Sequence, residues 1–225
     1  MKILITGGST EVQIDKVRVI SNIFRGRTAA DVTLKALRRA QAVTLVGNPG
    51  MKSFLPKEWL ELVRFVPYRT FDELMSVMEV EIKTGKYDCV IHSAAVSDYS
   101  VSRVLGPEME PLNSSGKVGS SHQKLYLEMI QTPKIVDRIR KPWGFRGTLV
   151  KFKLQVGMSD EELLTVARSS MEHSGADLIV ANCLEWARDR AYVIGRQSGG
   201  EGLVQSVSRD ELSNAILDAI DDLGP

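Results

Sequence analysis

The sequence is short of the residues that most often announce a chemistry. Among 225 residues there are two cysteines, Cys89 and Cys183, and three histidines. No disulfide framework is implied, a reducing compartment is the simpler setting, and a zinc site is discounted. Cys89 and His92 have a C-x-x-H spacing, but residues three apart on a strand face opposite ways and do not share a metal. No G-x-S-x-G elbow occurs, which removes the usual pattern of a Ser-His-Asp hydrolase. No apolar run approaches the length of a bilayer span or a signal peptide, and no repeat period is visible. Charge of one sign is lacking too: 29 Lys+Arg stand against 28 Asp+Glu, a formal net charge of +1. Such a chain has no long-range field to draw it to nucleic acid or an anionic membrane, so an anionic partner must be met by local groups. With 43% hydrophobic and 25% charged residues, the composition is that of a folded soluble protein, a cytoplasmic location is expected from the lack of a signal peptide or span, and residues 1–225 are expected to form one domain.

What is present is alternation. Short β-branched runs at Lys2 to Ile5, Val43 to Val46, Val63 to Val66, Cys89 to Ile91, Leu149-Val150 and Leu178 to Val180 are separated mostly by amphipathic segments. This predicts βαβ units and an α/β, Rossmann-like, mainly parallel sheet flanked by helices. Three capping boxes mark helix starts, Thr70 with Glu73, Ser159 with Glu162 and Ser208 with Glu211, and Gly85 and Gly175 mark two stops. Leu212, Ala215, Ile216, Ala219, Ile220 and Leu223 form an apolar stripe on the last helix. Tyr192 to Ile194 and Leu203 to Val207 flank the glycine-rich stretch from Gly195 to Gly202, which reads as a C-terminal β-hairpin extension. The stretch from Arg103 to His122 lacks periodicity and is rich in Gly, Pro, Ser and Asn; a loop that long is a lid, a binding loop or a linker.

Several segments could carry chemistry. The first strand ends in Thr6-Gly7-Gly8-Ser9-Thr10, where glycine lets the backbone approach a ligand and amides can cradle a phosphate, although a plain tight turn fits as well. Neither the three-glycine dinucleotide pattern nor the P-loop is satisfied. Arg25-Gly26-Arg27 precedes a helix ending near Ala40; guanidinium groups beside a helix start can bind an anion, or are simply solvated. Arg18 and Asn22, four apart, are expected on one helix face, gripping a carboxylate from two sides. His92 to Tyr99 places small residues and Asp98 at a strand end, where open α/β sheets bind ligands.

Thr6-x-Gly8-x-Thr10, then Asp15-x-Val17-Arg18-x-Ile20-Ser21-Asn22, then Ala94-Ala95-Val96-x-Asp98-Tyr99, then Gly175 to Asn182, in this order, resemble phosphopantothenate–cysteine ligase of coenzyme A synthesis. The resemblance spans nearly the whole chain and implies the stand-alone form, without flavin, with a separate decarboxylase acting next. It implies joining of 4′-phosphopantothenate to L-cysteine through an acyl-nucleotidylate made from CTP or ATP with Mg²⁺, CTP being favoured, in a homodimer. A mixed anhydride makes the carboxylate oxygen a leaving group and splits one hard step into two. By this resemblance Asn22 binds the pantothenoyl carboxylate, Arg18 serves the second half-reaction, and Lys117 belongs to a mobile lysine motif, making 103–122 a lid. Ala94 and Ala95 line the site, Asp98 lies near the nucleotide, Pro133-Lys134-Ile135-Val136 opens a nucleotide-contacting helix, and Phe152 is the aromatic of a Gly-Phe strand. Gly8 and Thr10 join the nucleotide set, and Arg25, Gly26 and Arg27 the substrate set; no metal ligand is assigned.

Departures from the family pattern are visible. Gly119, Ser120, Ser170 and Ser174 stand where fused relatives carry lysines, Cys183 replaces an aspartate, and Arg25, Arg27 and Ala29 replace serine, lysine and glycine. Lys151 or Lys153 is expected to compensate, with only one able to reach the site. Two other readings remain: a non-catalytic relative that binds a nucleotide or pantothenate derivative, and an NAD(P)-dependent short-chain reductase. The reductase lacks the Tyr-x-x-x-Lys pair: Tyr68, Tyr87, Tyr99, Tyr126 and Tyr192 are followed four later by Asp72, Ile91, Arg103, Ile130 and Arg196.

Overall fold

The alternating pattern resolves, in a computed structural model that describes residues 1–196 and 202–224, into a layered α/β fold. The chain runs β1 (Lys2–Gly7), β2 (Glu11–Gln13), β3 (Val19–Ser21), α1 (Arg27–Arg38), β4 (Ala42–Gly47), a 3₁₀ helix (Pro49–Phe54), α2 (Lys57–Leu60), β5 (Arg64–Pro67), α3 (Phe71–Thr84), β6 (Cys89–His92) and β7 (Tyr99–Leu105). It continues with β8 (Pro111–Leu112), β9 (Tyr126–Gln131), α4 (Ile135–Arg140), β10 (Thr148–Gln155), α5 (Asp160–Ser174), β11 (Leu178–Cys183), β12 (Arg190–Gly195), β13 (Val204–Ser208) and α6 (Leu212–Leu223).

The main sheet has the order β13-β12-β11-β10-β6-β1-β4-β5. Strands β5, β4, β1, β6, β10 and β11 pair in parallel, and β12 and β13 join as the expected antiparallel hairpin. The middle of the glycine-rich connection, 197–201, lies outside the described residues. Because side chains alternate along a strand, each parallel strand feeds two cores. Ile3, Ile5, Cys89, Ile91 and Val150 pack with α1 and α6, and Leu4, Val90 and Leu149 pack with α3, α4 and α5. The α6 stripe packs as expected through Leu212, Ile216, Ala219 and Ile220, while Leu223 is exposed. Each such large side chain contributes roughly 1.5–3 kcal/mol when fully buried.

Two of the three capping boxes form, at Thr70 with Glu73 and Ser159 with Glu162. The third does not. Ser208 ends β13, and α6 starts only after Glu211, which makes no side-chain cap; Ser208 Oγ instead donates to the Glu211 carboxylate at 3.0 Å. Pairing with β12 holds Ser208 in the sheet, so tertiary register overrides the local cap. Gly175 closes α5 in the left-handed conformation (φ 66), whereas Gly85 stays right-handed (φ −81) and Lys86 takes the positive φ.

Residues 103–122 also differ from expectation. Arg103–Leu105 lie in β7, which pairs with β8 and with β9 in a separate three-stranded sheet. Gly106 to Glu110 make the turn, in which the Gly106 amide donates to the Glu110 carbonyl at 2.9 Å. Irregular chain is therefore confined to the later part, from Asn113 to Leu125.

The difference between caps is measurable. Ser159→Ala should cost about 1 kcal/mol in urea unfolding, and Ser208→Ala should stay within about 0.5 kcal/mol; equal losses would show that Ser208 caps α6 after all.

Candidate active site

Read from one edge, the parallel strands run β5, β4, β1, β6, β10, β11, so chain order reverses between β1 and β6. Open α/β sheets bind ligands at the carboxyl ends of the strands flanking such a reversal. Here those ends are Gly7-Gly8 and Ser93-Ala94-Ala95. Both extensions continue past the strands and bind each other: the Ala95 amide donates to the Gly8 carbonyl at 2.8 Å, and the Thr10 amide to the Ala95 carbonyl at 3.3 Å. Buried Thr10 accepts from the Ser97 amide through its hydroxyl at 2.9 Å. Below them, buried Tyr68 donates to the Gly7 and Gly8 carbonyls at 2.9 and 3.1 Å, and burial holds its phenol well above the ordinary range.

Glycine is required where α1 meets this turn. Gly8 and Gly26 both have positive φ, 83° and 87°, and a Cβ on Gly26 would sit 2.5 Å from the Gly8 nitrogen. The two turns thus touch through bare backbone. Flanking Gly26, Arg25 is exposed and Arg27 stacks its guanidinium 5.3 Å from the centre of the Phe54 ring.

Arg18 and Asn22 are not on a helix face. β2 and β3 form a hairpin, with Arg18 in its turn and Asn22 just after β3. Register puts Asn22 at the crevice, where its Nδ2 donates to the Ala95 carbonyl at 3.0 Å. Arg18 is turned instead to Asp15, donating to Oδ2 from Nε at 3.0 Å and from Nη2 at 2.5 Å, and from Nη2 also to the Val118 carbonyl at 3.0 Å. Buried Asp15 further accepts from the amides of Val17, Arg18 and Val118 at 2.9, 2.8 and 3.0 Å. The Arg18 guanidinium, with these amides, holds the Asp15 carboxyl well below the usual carboxylate range. A second tie runs from the Lys16 amide to the Gly116 carbonyl at 3.1 Å. Lys117 is exposed between these two anchor points.

On the other flank, exposed Asp98 pairs with Lys134, Nζ to Oδ1 2.5 Å, and Lys134 directly precedes α4. Pro133 is exposed, Ile135 is buried and Val136 half-buried, both in the core with α3 and α5; Ile135 can offer a ligand only backbone. Phe152 packs on the opposite face, with α1 and α6, so the expected nucleotide set straddles the sheet edge. Lys151 and Lys153 share one face, being two apart on β10, but they differ in reach. Lys151 is buried and donates to the Ser170 carbonyl and hydroxyl, both at 3.0 Å. Lys153, half-buried, stands nearer the carboxyl end.

Sequence reading missed the hub made by Asp15. The local part was legible, since an aspartate accepting from amides two and three residues on is a common turn device; its bond to Val118, about a hundred positions away, was not. The Gly175-Ala176-Asp177 motif lies at the opposite, amino edge of the sheet: Asp177 accepts from the Leu149 amide at 2.8 Å and pairs with Arg140. Its role is structural.

Comparisons with known proteins identify the family and the fold. The family model for the DNA/pantothenate metabolism flavoprotein C-terminal domain matches residues 1–223. The chain is 31% identical over 226 residues to the coenzyme A biosynthesis bifunctional protein CoaBC of Thermococcus kodakarensis, covering 98% of this chain and 51% of that protein. It is 23% identical to phosphopantothenate–cysteine ligase 2 of Oryza sativa, covering 97% and 78%. The crystal structure of the DNA/pantothenate metabolism flavoprotein from Streptococcus pneumoniae superposes with a TM-score of 0.83 at 27% identity, covering 99% of both chains. The chain spans about half the length of the CoaBC relatives it matches.

Asp15 gives this site a pH signature. A carboxyl held below its ordinary value contributes fully above about pH 4 and loses its contribution as pH falls below that. At pH 7, Asp15→Asn should speed hydrogen exchange at the Val118 amide at least about tenfold. In the wild type the same amide should lose protection, after correction for intrinsic rates, only below about pH 4. Unchanged exchange in the variant would remove Asp15 as the anchor.

Proposed function

The chain belongs to the DNA/pantothenate metabolism flavoprotein C-terminal domain family, and from that premise we propose that it joins 4′-phosphopantothenate to L-cysteine at the crevice between β1 and β6. The observation that carries this reading is the convergence at Ala95: its carbonyl takes the Asn22 amide and the Thr10 amide, and its own amide is bound to Gly8. One small turn thereby gathers the carboxylate-binding, nucleotide-binding and glycine segments. The chemistry has two steps. The pantothenoyl carboxylate attacks the α-phosphorus of the nucleotide and pyrophosphate leaves; the cysteine amine then attacks the acyl carbon, the nucleoside monophosphate leaves, and the amine proton passes to solvent or base. Both steps depend on aligning anionic reactants more than on covalent help from the protein.

The residues divide this work. Asn22 offers an uncharged amide to the reacting carboxylate, and Arg25, Gly26 and Arg27 face the phosphate of phosphopantothenate beside the start of α1. Gly8, Thr10, Ala94, Asp98 and the Pro133 to Val136 segment border the nucleotide, and Phe152 supports the edge from the other face. Arg18 acts through position: committed to Asp15 and Val118, it ties the Lys117 segment to the hairpin turn. Residues 113–125 then serve as the lid, pivoting on that anchor while Lys117 neutralises phosphate charge. CTP is the favoured nucleotide, with ATP the alternative.

Among the described residues no group of three or more ligating side chains converges, so a protein cage for Mg²⁺ is not offered. Mg²⁺ commonly keeps several waters and rides on substrate phosphates with one or two carboxylates, a mode that fits the exposed Asp98. Bound there with the nucleotide, the ion would offset phosphate charge.

A homodimer fits the surface. Val19, Ile20 and Ile23 around β3, and Met129 and Ile130 on β9, are exposed apolar residues, Ile23 at 77% and Ile130 at 54%, and β2 packs against β7. Exposed apolar side chains beside a site commonly mark an interface. No helix among the described residues is long and apolar enough to cross a membrane.

Pyrophosphate should be released from CTP or ATP only when phosphopantothenate is present, with amide formed on adding cysteine; no turnover with either nucleotide would overturn the ligase and favour a ligand-binding relative. Asn22→Ala and Lys117→Ala should each lower kcat about a hundredfold or more with the unfolding midpoint unchanged. Light scattering should give twice the chain mass for the wild type and a shift toward one chain for Ile130→Asp; an unchanged dimer would place the interface elsewhere.

A further inference from the structure

Directly beneath the crevice lies a buried polar row. Thr6 of β1, His92 of β6 and Lys151 of β10 are register neighbours across three central strands, and they are 0%, 8% and 7% exposed. Two positions deeper on the same face the row is Leu4, Val90 and Leu149, all fully buried. Polar groups in such a layer are costly unless paired, so their partners are informative.

Thr6 Oγ1 accepts from the Ala94 amide at 3.2 Å and lies 2.9 Å from His92 Nδ1. The hydroxyl proton has no other acceptor among the described residues, so it is assigned to Nδ1, which leaves the ring proton on Nε2. Burial, helped by the neighbouring Lys151 ammonium, pushes the His92 pKa down to about 4, and the ring is neutral at pH 7. Lys151 is itself pushed down to about 8, first by burial, with Lys153 and Lys134 adding repulsion and Asp137 opposing it. Lys153 lies two positions beyond Lys151 on the same face of β10, and Lys134 directly precedes α4, which packs on that face.

Nε2 of His92 has no protein partner among the described residues. Gln41 Oε1 is the one fully enclosed, unpartnered side-chain atom among the described residues, so Nε2 keeps access to solvent. It does so at the last residue of β6, where the Ala94–Ala95 turn begins. A neutral N–H donor beside two lysines suits an oxyanion: it adds a directed hydrogen bond without adding like charge.

We propose that His92 is a phosphate contact, presenting its Nε2–H to an oxygen of the nucleotide's phosphate chain beside Lys134 and Lys153, with Thr6 fixing the tautomer and orienting the Ala94 amide. That the anion belongs to a nucleotide rests on the ligase reading; that the site takes a phosphate oxyanion does not.

The test is nitrogen-15 NMR of the histidine rings in the full chain at pH 7, with inorganic triphosphate as probe. His92 should carry its proton on Nε2, and triphosphate should shift that nitrogen saturably. His92→Phe should weaken triphosphate binding about tenfold, and in turnover raise the nucleotide KM about tenfold while the phosphopantothenate and cysteine KM values stay within about twofold. Should His92→Phe fail to fold, Thr6→Val serves: loss of the hydroxyl should lower the Nε2–H population and weaken triphosphate binding. A proton on Nδ1 in the wild type, a triphosphate titration that leaves His92 unmoved, or no triphosphate binding would each overturn the proposal. Triphosphate binding at His92 without ligase turnover would overturn the nucleotide assignment alone.

Discussion

Strands buried on both faces must end somewhere, and at their carboxyl edge the backbone N–H and C=O groups need partners that no neighbouring strand supplies. At the reversal between β1 and β6 this chain meets that need with its own extensions. Gly8, Thr10 and Ala95 exchange backbone hydrogen bonds beyond the strand ends, Tyr68 donates to the Gly7 and Gly8 carbonyls from below, and Asn22 reaches the Ala95 carbonyl from above. Satisfying the backbone here is also what builds the crevice. The groups that close the sheet edge are the groups a ligand would approach.

A second layer of control comes from Asp15. Its carboxylate accepts from three amides and from the Arg18 guanidinium, and one of those amides belongs to a segment about a hundred residues later. Arg18 therefore has its charge compensated inside the protein. Arg25, Arg27, Lys117 and Lys153 have no carboxylate partner among the described residues and Lys134 is shared with Asp98, while Lys151 is turned onto α5. A near-zero net charge thus conceals local cationic groups around one edge of the sheet. The absence of a long-range field and the proposed phosphate-directed site are compatible because the first depends on the total and the second on placement.

Legibility in the sequence followed the range of the interactions. The helix starts at Thr70 and Ser159, the stop at Gly175 and the stripe on α6 were readable because each rests on residues within a turn or two of one another. Ser208 with Glu211 had the same local pattern, yet pairing of β13 with β12 took precedence. Arg18 and Asn22 have helical spacing but sit on a hairpin, since the sequence of 11–21 carries no signal strong enough to separate a short hairpin from one helical turn. A quarter of the stretch from 103 to 122 is strand, hidden by Pro and Gly at its turn. In the candidate site, Asn22, Ala95, Gly8 and Asp98 were identifiable by type and order; Asp15 as a hub and His92 as a donor were not, because both depend on partners distant in the chain.

The sequence by itself determined the parallel α/β class, the two-sided core and the order of the site segments, because those follow from periodicity, capping chemistry and motif order. Only the tertiary structure decided which groups are free to act. Arg18 is committed to Asp15 and Val118, Lys151 to Ser170 and Asp177 to Arg140, while Asn22, Lys117 and the Nε2 of His92 face the crevice or solvent. Residue type sets what a side chain can bind, but burial and hydrogen-bond pairing, which arise when remote segments meet, decide whether that capacity remains available.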